Sequence, residues 1–467
     1  MKVYKRILIA CAFWASTNVH SQSLDSSKIV AITGQTVKVG MSLKEAINYA
    51  LQNNPELKKS KFDVSISKET VKQTVAIGLP QVTASGGYQH YTRIPGNWIK
   101  NFAPTPGAPE YIFLQFQQQI NSSATLGVNQ LIFDGSYLVG LKATKQFVDM
   151  SRFLEAKTEY DVQVNISKAY LMVASTRMNI ALFESNISVL EKSTSDVKAL
   201  FEEGFSEELD YKRLQLSLNN LKVQKQKLEN TVDMLMNVLK LQMGMDLTET
   251  LELSDDIESI DSYIRMSDIA NSSSWSPSLR PEFQVLNQAI TLGKLDKKRY
   301  QMGFLPKLVG FYQHQQMTMR PEFNFFESNL TPNNNWIPSD LFGLQVQWTL
   351  FDGLNAQSKI REVQYKIDKA EVDLKSFENA ASMEWKNAQN TYNVQLQQAA
   401  LQKENMDLAQ DIYNKTQIKF QEGVGSTLEM TQAESELKNA QVNYLNAVYD
   451  LVLAKIDYHK AIGKPLN

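Results

Sequence analysis

Gly343-Leu344-Gln345-Val346-Gln347-Trp348-Thr349-Leu350-Phe351-Asp352-Gly353 is the stretch that decides the fold. Leu344, Val346, Trp348 and Leu350 alternate with Gly343, Gln345, Gln347 and Thr349, the period of a strand with one apolar face. After Phe351-Asp352-Gly353 the pattern changes: Gly353 to Gly423 is a step of 70 residues that contains no proline. A continuous helix of that size spans roughly 100 Å at 1.5 Å per residue. That is several times the length of an ordinary globular helix. A strand that hands over to such a helix does not belong to a compact globular domain.

The same passage occurs twice. Leu350-Phe351-Asp352-Gly353 is answered by Ile132-Phe133-Asp134-Gly135, and Gly135 to Gly204 is again a proline-free step, of 69 residues. Upstream, Asn54-Pro55-Glu56-Leu57 is answered by Arg280-Pro281-Glu282-Phe283, each followed 25 residues after its proline by Leu-Pro, at Pro80 and Pro306. Downstream, Phe201-Glu202-Glu203-Gly204 matches Phe420-Gln421-Glu422-Gly423, and Met243-Gly244 matches Ile462-Gly463. From Phe-Asp-Gly onward the offset holds at 218 to 219 residues. Such ordered self-similarity marks a duplicated unit. The chain divides into a first repeat (41–250), an inter-repeat segment (251–278) and a second repeat (279–467), after an N-terminal extension (22–40).

Within each repeat the return stretch is striped. Leu214, Leu218, Leu221, Lys225, Leu228, Val232, Leu235 and Leu239 advance in alternating steps of four and three, and Leu437, Ala440, Tyr444, Ala447, Leu451, Ala454 and Tyr458 repeat the register. This is a coiled-coil period. The second copy carries a further stripe, Val442, Leu445, Val448, Val452 and Ile456. Two seams imply two helical neighbours, as in a closed cylinder; the other reading of a broad apolar face is an ordinary bundle. Each repeat thus predicts a long helical hairpin with a glycine-bearing tip.

The composition excludes several functions. With 48 basic and 50 acidic side chains among 467 residues, the chain lacks the basic excess of a nucleic-acid binder. Residues 1–21 have a basic start, an apolar core and a small residue before Gln22, and predict an export signal. The one cysteine, Cys11, falls within it, which leaves no thiol chemistry for the mature chain. No phosphate-binding glycine loop and no paired-histidine metal motif occurs. His90, His314 and His459 have no second ligand at metal-site spacing. No enzyme, cofactor or metal is expected.

Four strands precede the hairpins, two per repeat. Beyond Leu344–Leu350 these are a strand through Leu126, Val128 and Ile132, interrupted by Gln130, and less regular strands over 81–91 and 307–316. A strand of this type packs on a soluble core or stands in a bilayer. The helices use their seams on one another, which favours the bilayer, and Tyr88, Tyr91, Phe133, Tyr312 and Phe351 suit an interfacial girdle. Four strands cannot close a membrane barrel, so copies must pool them, and three copies give twelve. Segments 93–123 and 317–341 hold more than half of the prolines and read as external loops.

These residues resemble the TolC-type outer-membrane efflux proteins, the outer-membrane factors. The likeness rests on Asn54-Pro55-Glu56-Leu57-Lys58-Lys59-Ser60, Leu79-Pro80-Gln81, Leu350-Phe351-Asp352-Gly353, the tip Gly423-Val424-Gly425-Ser426-Thr427-Leu428-Glu429 and the tail Ala461-Ile462-Gly463. The resemblance implies a mainly α fold with a membrane β part: a homotrimer with a 12-stranded barrel in outer-membrane lipid and an α-helical tunnel across the periplasm. It also implies docking on a periplasmic adaptor and an inner-membrane pump. Its acidic constriction falls on Glu429 and Gln432, with Asp210 and Arg213 at the shifted positions; Gln432 is neutral, which departs from a pattern with two acids. Glu429 equally suits a solvated helix start, where an acid meets the N-terminal dipole. The adaptor-docking tips would be Gly204, Phe205 and Ser206 together with Gly423, Val424, Gly425 and Ser426. The rival readings are a trimeric coiled-coil surface adhesin and a soluble adaptor, neither of which needs two matched hairpins, each with its strand pair. Drug efflux and type I protein secretion remain equally open.

Overall fold

The computed structural model describes residues 39–102, 105–257, 259–260, 275–323, 335–422 and 424–464. The export-signal segment, residues 22–38 and the tip glycine Gly423 lie outside the described residues. β1 (Val39–Met41), α1 (Leu43–Asn53) and α2 (Pro55–Ile77) lead to β2 (Gln81–His90). A small hairpin of β3 (Asn97–Lys100) and β4 (Tyr111–Leu114) precedes β5 (Ile120–Phe133). Then follow α3 (Gly135–Glu202), α4 (Glu208–Met243) and β6 (Leu251–Leu253). The second half has α5 (Pro281–Met302), β7 (Lys307–Arg320), β8 (Ile337–Gln347), α6 (Asn355–Gln421) and α7 (Thr427–Ile462). The descending helices α3 and α6 have 68 and 67 residues, and the returning helices α4 and α7 have 36 each.

The sequence landmarks have local causes. Pro55 and Pro281 each open a helix, where the missing N–H is of no consequence and φ is already set. The Asp134 carboxylate accepts from the backbone N–H groups of Ser136 and Tyr137 at 2.9 and 3.1 Å, capping α3. Its counterpart Asp352 accepts from Ala356 N at 2.7 Å. The two handovers still differ: Gly353 and Leu354 both take positive φ, 68° and 67°, and α6 starts only at Asn355.

The sheet has the order β2-β5-β7-β8 and is antiparallel throughout. The helices beneath follow the same order, with α2 against α3 and α5 against both α3 and α6. Each strand therefore continues the helix joined to it in the chain, and together they make one wall. Further along, α7 lies between α3 and α6, and α4 flanks α3.

The core follows the predicted stripes. Leu239 and Met243 of α4 and Val452 and Ile456 of α7 join Ile166, Tyr170 and Leu171 of α3. Toward the tips, Leu214, Leu218 and Leu221 pack with Phe183, Leu190 and Val197. Lys225, the polar break in the first stripe, pairs with Glu184 at 2.9 Å across the hairpin. The two seams of α7 meet two neighbours: Leu437 packs with Tyr413 of α6, and Val442 with the Phe183 cluster of α3.

Several strand expectations are corrected. β8 stops at Gln347, and Trp348, instead of extending the strand, donates its indole N–H to Phe304 O at 3.0 Å. Gln130 does stand on the apolar face, paired with Gly310 ahead of a bulge between Leu131 and Phe133; its amide is satisfied by Gly78 O and Leu131 O, both at 2.8 Å. β5 begins at Ile120, β7 runs to Arg320 and β8 starts at Ile337, so both loops are shorter than expected, and the first holds the β3–β4 hairpin. Four strands per chain was also too few: β1 and β6 make a further parallel pair that ties Val39–Met41 to Leu251–Leu253.

Candidate functional site

Directly paired residues of antiparallel strands share a face, so the registers sort the sheet in two. One face carries Val82, Ala84, Leu126, Val128, Tyr312, Phe342, Leu344 and Val346. The other carries Gln81, Thr83, Ser85, Thr125, Asn129, Gln313, Gln345 and Gln347. Apolar outside and polar inside is the signature of a membrane barrel wall. Val82, Leu126, Leu344 and Val346 are 65%, 45%, 69% and 65% exposed, so nothing in a single chain covers them. No described helix is long and apolar enough to cross a membrane.

The apolar band ends in a polar network on the same face. Tyr312 donates its hydroxyl to Asp340 at 2.7 Å, and His314 Nδ1 lies 2.9 Å from the same carboxylate oxygen. Neither histidine spacing nor strand alternation revealed this network, because Asp340 stands in a different strand. His90 pairs with Ile120, six residues along β5 from Leu126, the partner of His314, so the two histidines are not neighbours. Among the described residues no group of three or more His, Cys, Asp or Glu side chains suits a metal ion.

At the opposite end the chain reverses twice. Gly204 takes φ 83°, and the N–H groups of Gly204 and Phe205 return to Phe201 O and Leu200 O at 3.0 and 2.8 Å, a glycine-terminated helix end. The second tip is built differently. Val424 N and Gly425 N both donate to Lys419 O at 3.0 Å, and a Cβ on Gly425 would meet the backbone N of Phe420 at 3.0 Å. Gly425 is there for space, not for positive φ. Ser426 caps α7 by accepting from Glu429 N at 3.2 Å. Phe205 and Val424 are 79% and 80% exposed, so each tip presents an apolar side chain outward, while Ser206 is half-buried.

The candidate gate residues lie just above these tips. Glu429 and Gln432 stand in the first turns of α7, and Asp210 and Arg213 in those of α4. Glu429, Gln432 and Arg213 are exposed and Asp210 is half-buried. Gln432 donates to Glu436 at 3.0 Å. No described hydrogen bond or ion pair joins the α7 pair to the α4 pair. The motif match had no means of finding Glu434, which is half-buried beside Tyr413 of α6 and Lys438 of α7. Burial pushes its carboxyl up to about 7, against the pull of Lys438. The Lys438 ammonium lies 5.5 Å from the ring centre of Phe183.

Edge helices carry seams that the stripe analysis passed over. Leu209, Leu216 and Val223 recur every seventh residue along α4, and Val394, Leu401 and Leu408 along α6, all more than half exposed. A seven-residue apolar repeat on a long helix is the mark of a coiled-coil partner.

Comparisons with known proteins agree with this wall. The sequence model of the outer membrane efflux protein family matches residues 46–244 and 297–464. The chain is 20% identical over 438 residues to the outer membrane protein TolC of Vibrio cholerae, with 90% of each chain covered. It shares its fold with the outer membrane protein VceC of Vibrio cholerae, at a TM-score of 0.68 and 13% identity, covering 91% of this chain and 97% of that one. The outer membrane channel MtrE of Neisseria gonorrhoeae gives a TM-score of 0.68 at 13% identity, covering 91% and 89%. The match excludes the adhesin and adaptor readings. This chain belongs to the outer membrane efflux protein family and is an outer-membrane channel, reaching into the periplasm, that serves tripartite efflux.

Proposed function

We propose that three copies close into one passive conduit, a 12-stranded barrel continued by a helical tunnel. The observation that carries this is the pair of unfinished edges. Among the described residues β2 and β8 are each paired on one side only, and an open strand edge in lipid leaves costly unpaired backbone groups. Beneath them, the exposed seams of α4 and α6 lie on opposite flanks of the same wall. A single copy has nothing to put against either edge; a ring of identical copies supplies each with the other. Paired cysteines on β2 and β8 test it. Disulfide-linked trimers in outer-membrane fractions are expected, and a detergent-indifferent, water-soluble monomer overturns it.

Within that conduit the helical repeats, 41–250 and 279–467, each contribute one hairpin, and the tips form the narrow end. Three copies of Glu429 around a threefold axis would repel one another and favour cations, with Gln432, Asp210 and Arg213 alongside. The exposed Phe205 and Val424, with Gly204, Ser206, Gly423, Gly425 and Ser426, form the surface on which a periplasmic adaptor docks and couples the channel to an inner-membrane pump. The pump selects the cargo, whether a small molecule or a secreted polypeptide. Photo-cross-linking from beside Phe205 and Val424 should capture the adaptor. Capture only from the connection between β2 and β5 refutes tip docking.

A further inference from the structure

The polar face of the sheet has a property that its family membership does not supply: it is nearly free of charge. Among the residues of β2, β5, β7 and β8 the charged side chains are Lys307, Arg320 and Asp340. Register puts Arg320 and Asp340 on the face that carries Leu126 and Leu344, since His314 pairs with both Leu126 and Asp340, and Arg320 lies an even number of residues along β7. Lys307 alone is on the polar face. It stands at the helical end of β7, 3.9 Å from the Asp134 carboxylate at the start of α3, so its charge is countered where the strands begin. Beyond it the face presents Gln313, Gln345, Gln347, Thr83 and Thr125 among glycines and a few apolar residues. Amides and hydroxyls both donate and accept; they replace water around a solute of either sign without imposing a fixed potential. A ring of charged side chains does the opposite and sorts ions.

We propose that the strand-built section is a charge-indifferent passage, which admits anionic and cationic cargo alike, and that charge sorting is confined to the helical section. The inference rests on the closed-channel reading, which places the polar face inside. It assigns Gln313, Gln345 and Gln347 as the residues that fix this indifference.

The test uses full-length protein reconstituted in liposomes, with single cysteines at Gln345→Cys or Leu344→Cys in a Cys11→Ser background. Size-matched cationic and anionic thiosulfonate reagents are added outside. Both should modify Gln345→Cys, at rates within about fivefold after scaling to a free thiol, and neither should modify Leu344→Cys; a charged passage separates the two signs by roughly tenfold or more. A larger preference than fivefold overturns the proposal. So does modification at Leu344→Cys alone, or at neither position. A second measurement does not depend on labelling. In planar bilayers under a salt gradient, Gln313→Lys and Gln313→Glu should move the reversal potential in opposite directions, and Asp340→Asn should leave it in place. Equal potentials for the two Gln313 variants overturn the assignment. Absence of any conductance from the wild-type protein would instead sink the channel reading itself.

Discussion

Gly244 sits so close to Asn53 that a Cβ on it would come to 2.4 Å from the Asn53 carbonyl oxygen, and Gly463 repeats the relationship with Leu279 at 2.9 Å. Both glycines end a returning helix with positive φ, 73° and 72°. Both press on the residues just ahead of a Pro-Glu helix start. The landmarks that revealed the duplication are thus one contact, made twice. In the first copy it is reinforced by Asn54, whose amide donates to Gln242 O at 2.6 Å.

Gly244→Ala and Gly463→Ala should therefore each destabilise the protein by more than the ~1–2 kcal/mol that left-handed backbone alone costs an L-residue, because the clash is with backbone. Gly204→Ala provides the comparison: its φ is 83° but nothing lies within 4 Å of its added Cβ, so only that backbone penalty of ~1–2 kcal/mol should appear. Thermal melts of detergent-purified protein rank the three. Equal shifts would contradict the contact argument.

The face assignment of β8 makes a steep prediction over one residue. Leu344→Arg puts a charge on the lipid side, worth about 2–4 kcal/mol at the bilayer midplane. Gln345→Arg puts it on the polar side and should assemble normally. The yield of trimer in outer-membrane fractions measures both.

Glu434 gives a pH dependence with a defined sign. Its carboxyl is raised from 4.5 to about 7 by burial, so the folded state holds a proton that the unfolded state releases. Stability from this group is complete below pH 4.5 and is lost as pH rises through about 7. Glu434→Gln should flatten that decline in melts across this window. An unchanged slope would mean that Glu434 is solvated in the assembled channel.

Glu429→Ala should lower cation selectivity or raise leak in planar-bilayer recordings, since Glu429 is exposed at the start of α7. Unchanged conductance and selectivity remove it from the gate.

The tips separate docking from conduction. Phe205→Asp and Val424→Asp change exposed side chains, 79% and 80% open to solvent, and should leave folding within about 0.5 kcal/mol of wild type. Adaptor cross-linking should fall sharply while single-channel conductance persists. Retained cross-linking would move the docking surface away from the tips.

The helices and their doubling were legible because they are written locally. A proline-free run of about 70 residues, a stripe in steps of three and four, and paired Pro-Glu and Phe-Asp-Gly signals each act over a few turns. Trp348 was misread as part of the strand because its role depends on a carbonyl from another segment. The seam through Leu209, Leu216 and Val223 was present in the text, yet it is indistinguishable from a core stripe until the core is seen to lie elsewhere.

The amino-acid order by itself determined that the chain is two long hairpins, each fed by strands with one apolar face, because periodicity and helix-end chemistry are short-range. Only the tertiary structure decided which strand neighbours which, that β5 and β7 join the two halves, and that Asp340 and His314 share a face. Those facts depend on pairing between residues far apart in the chain, and no local pattern encodes which distant partner a strand's free hydrogen bonds will meet.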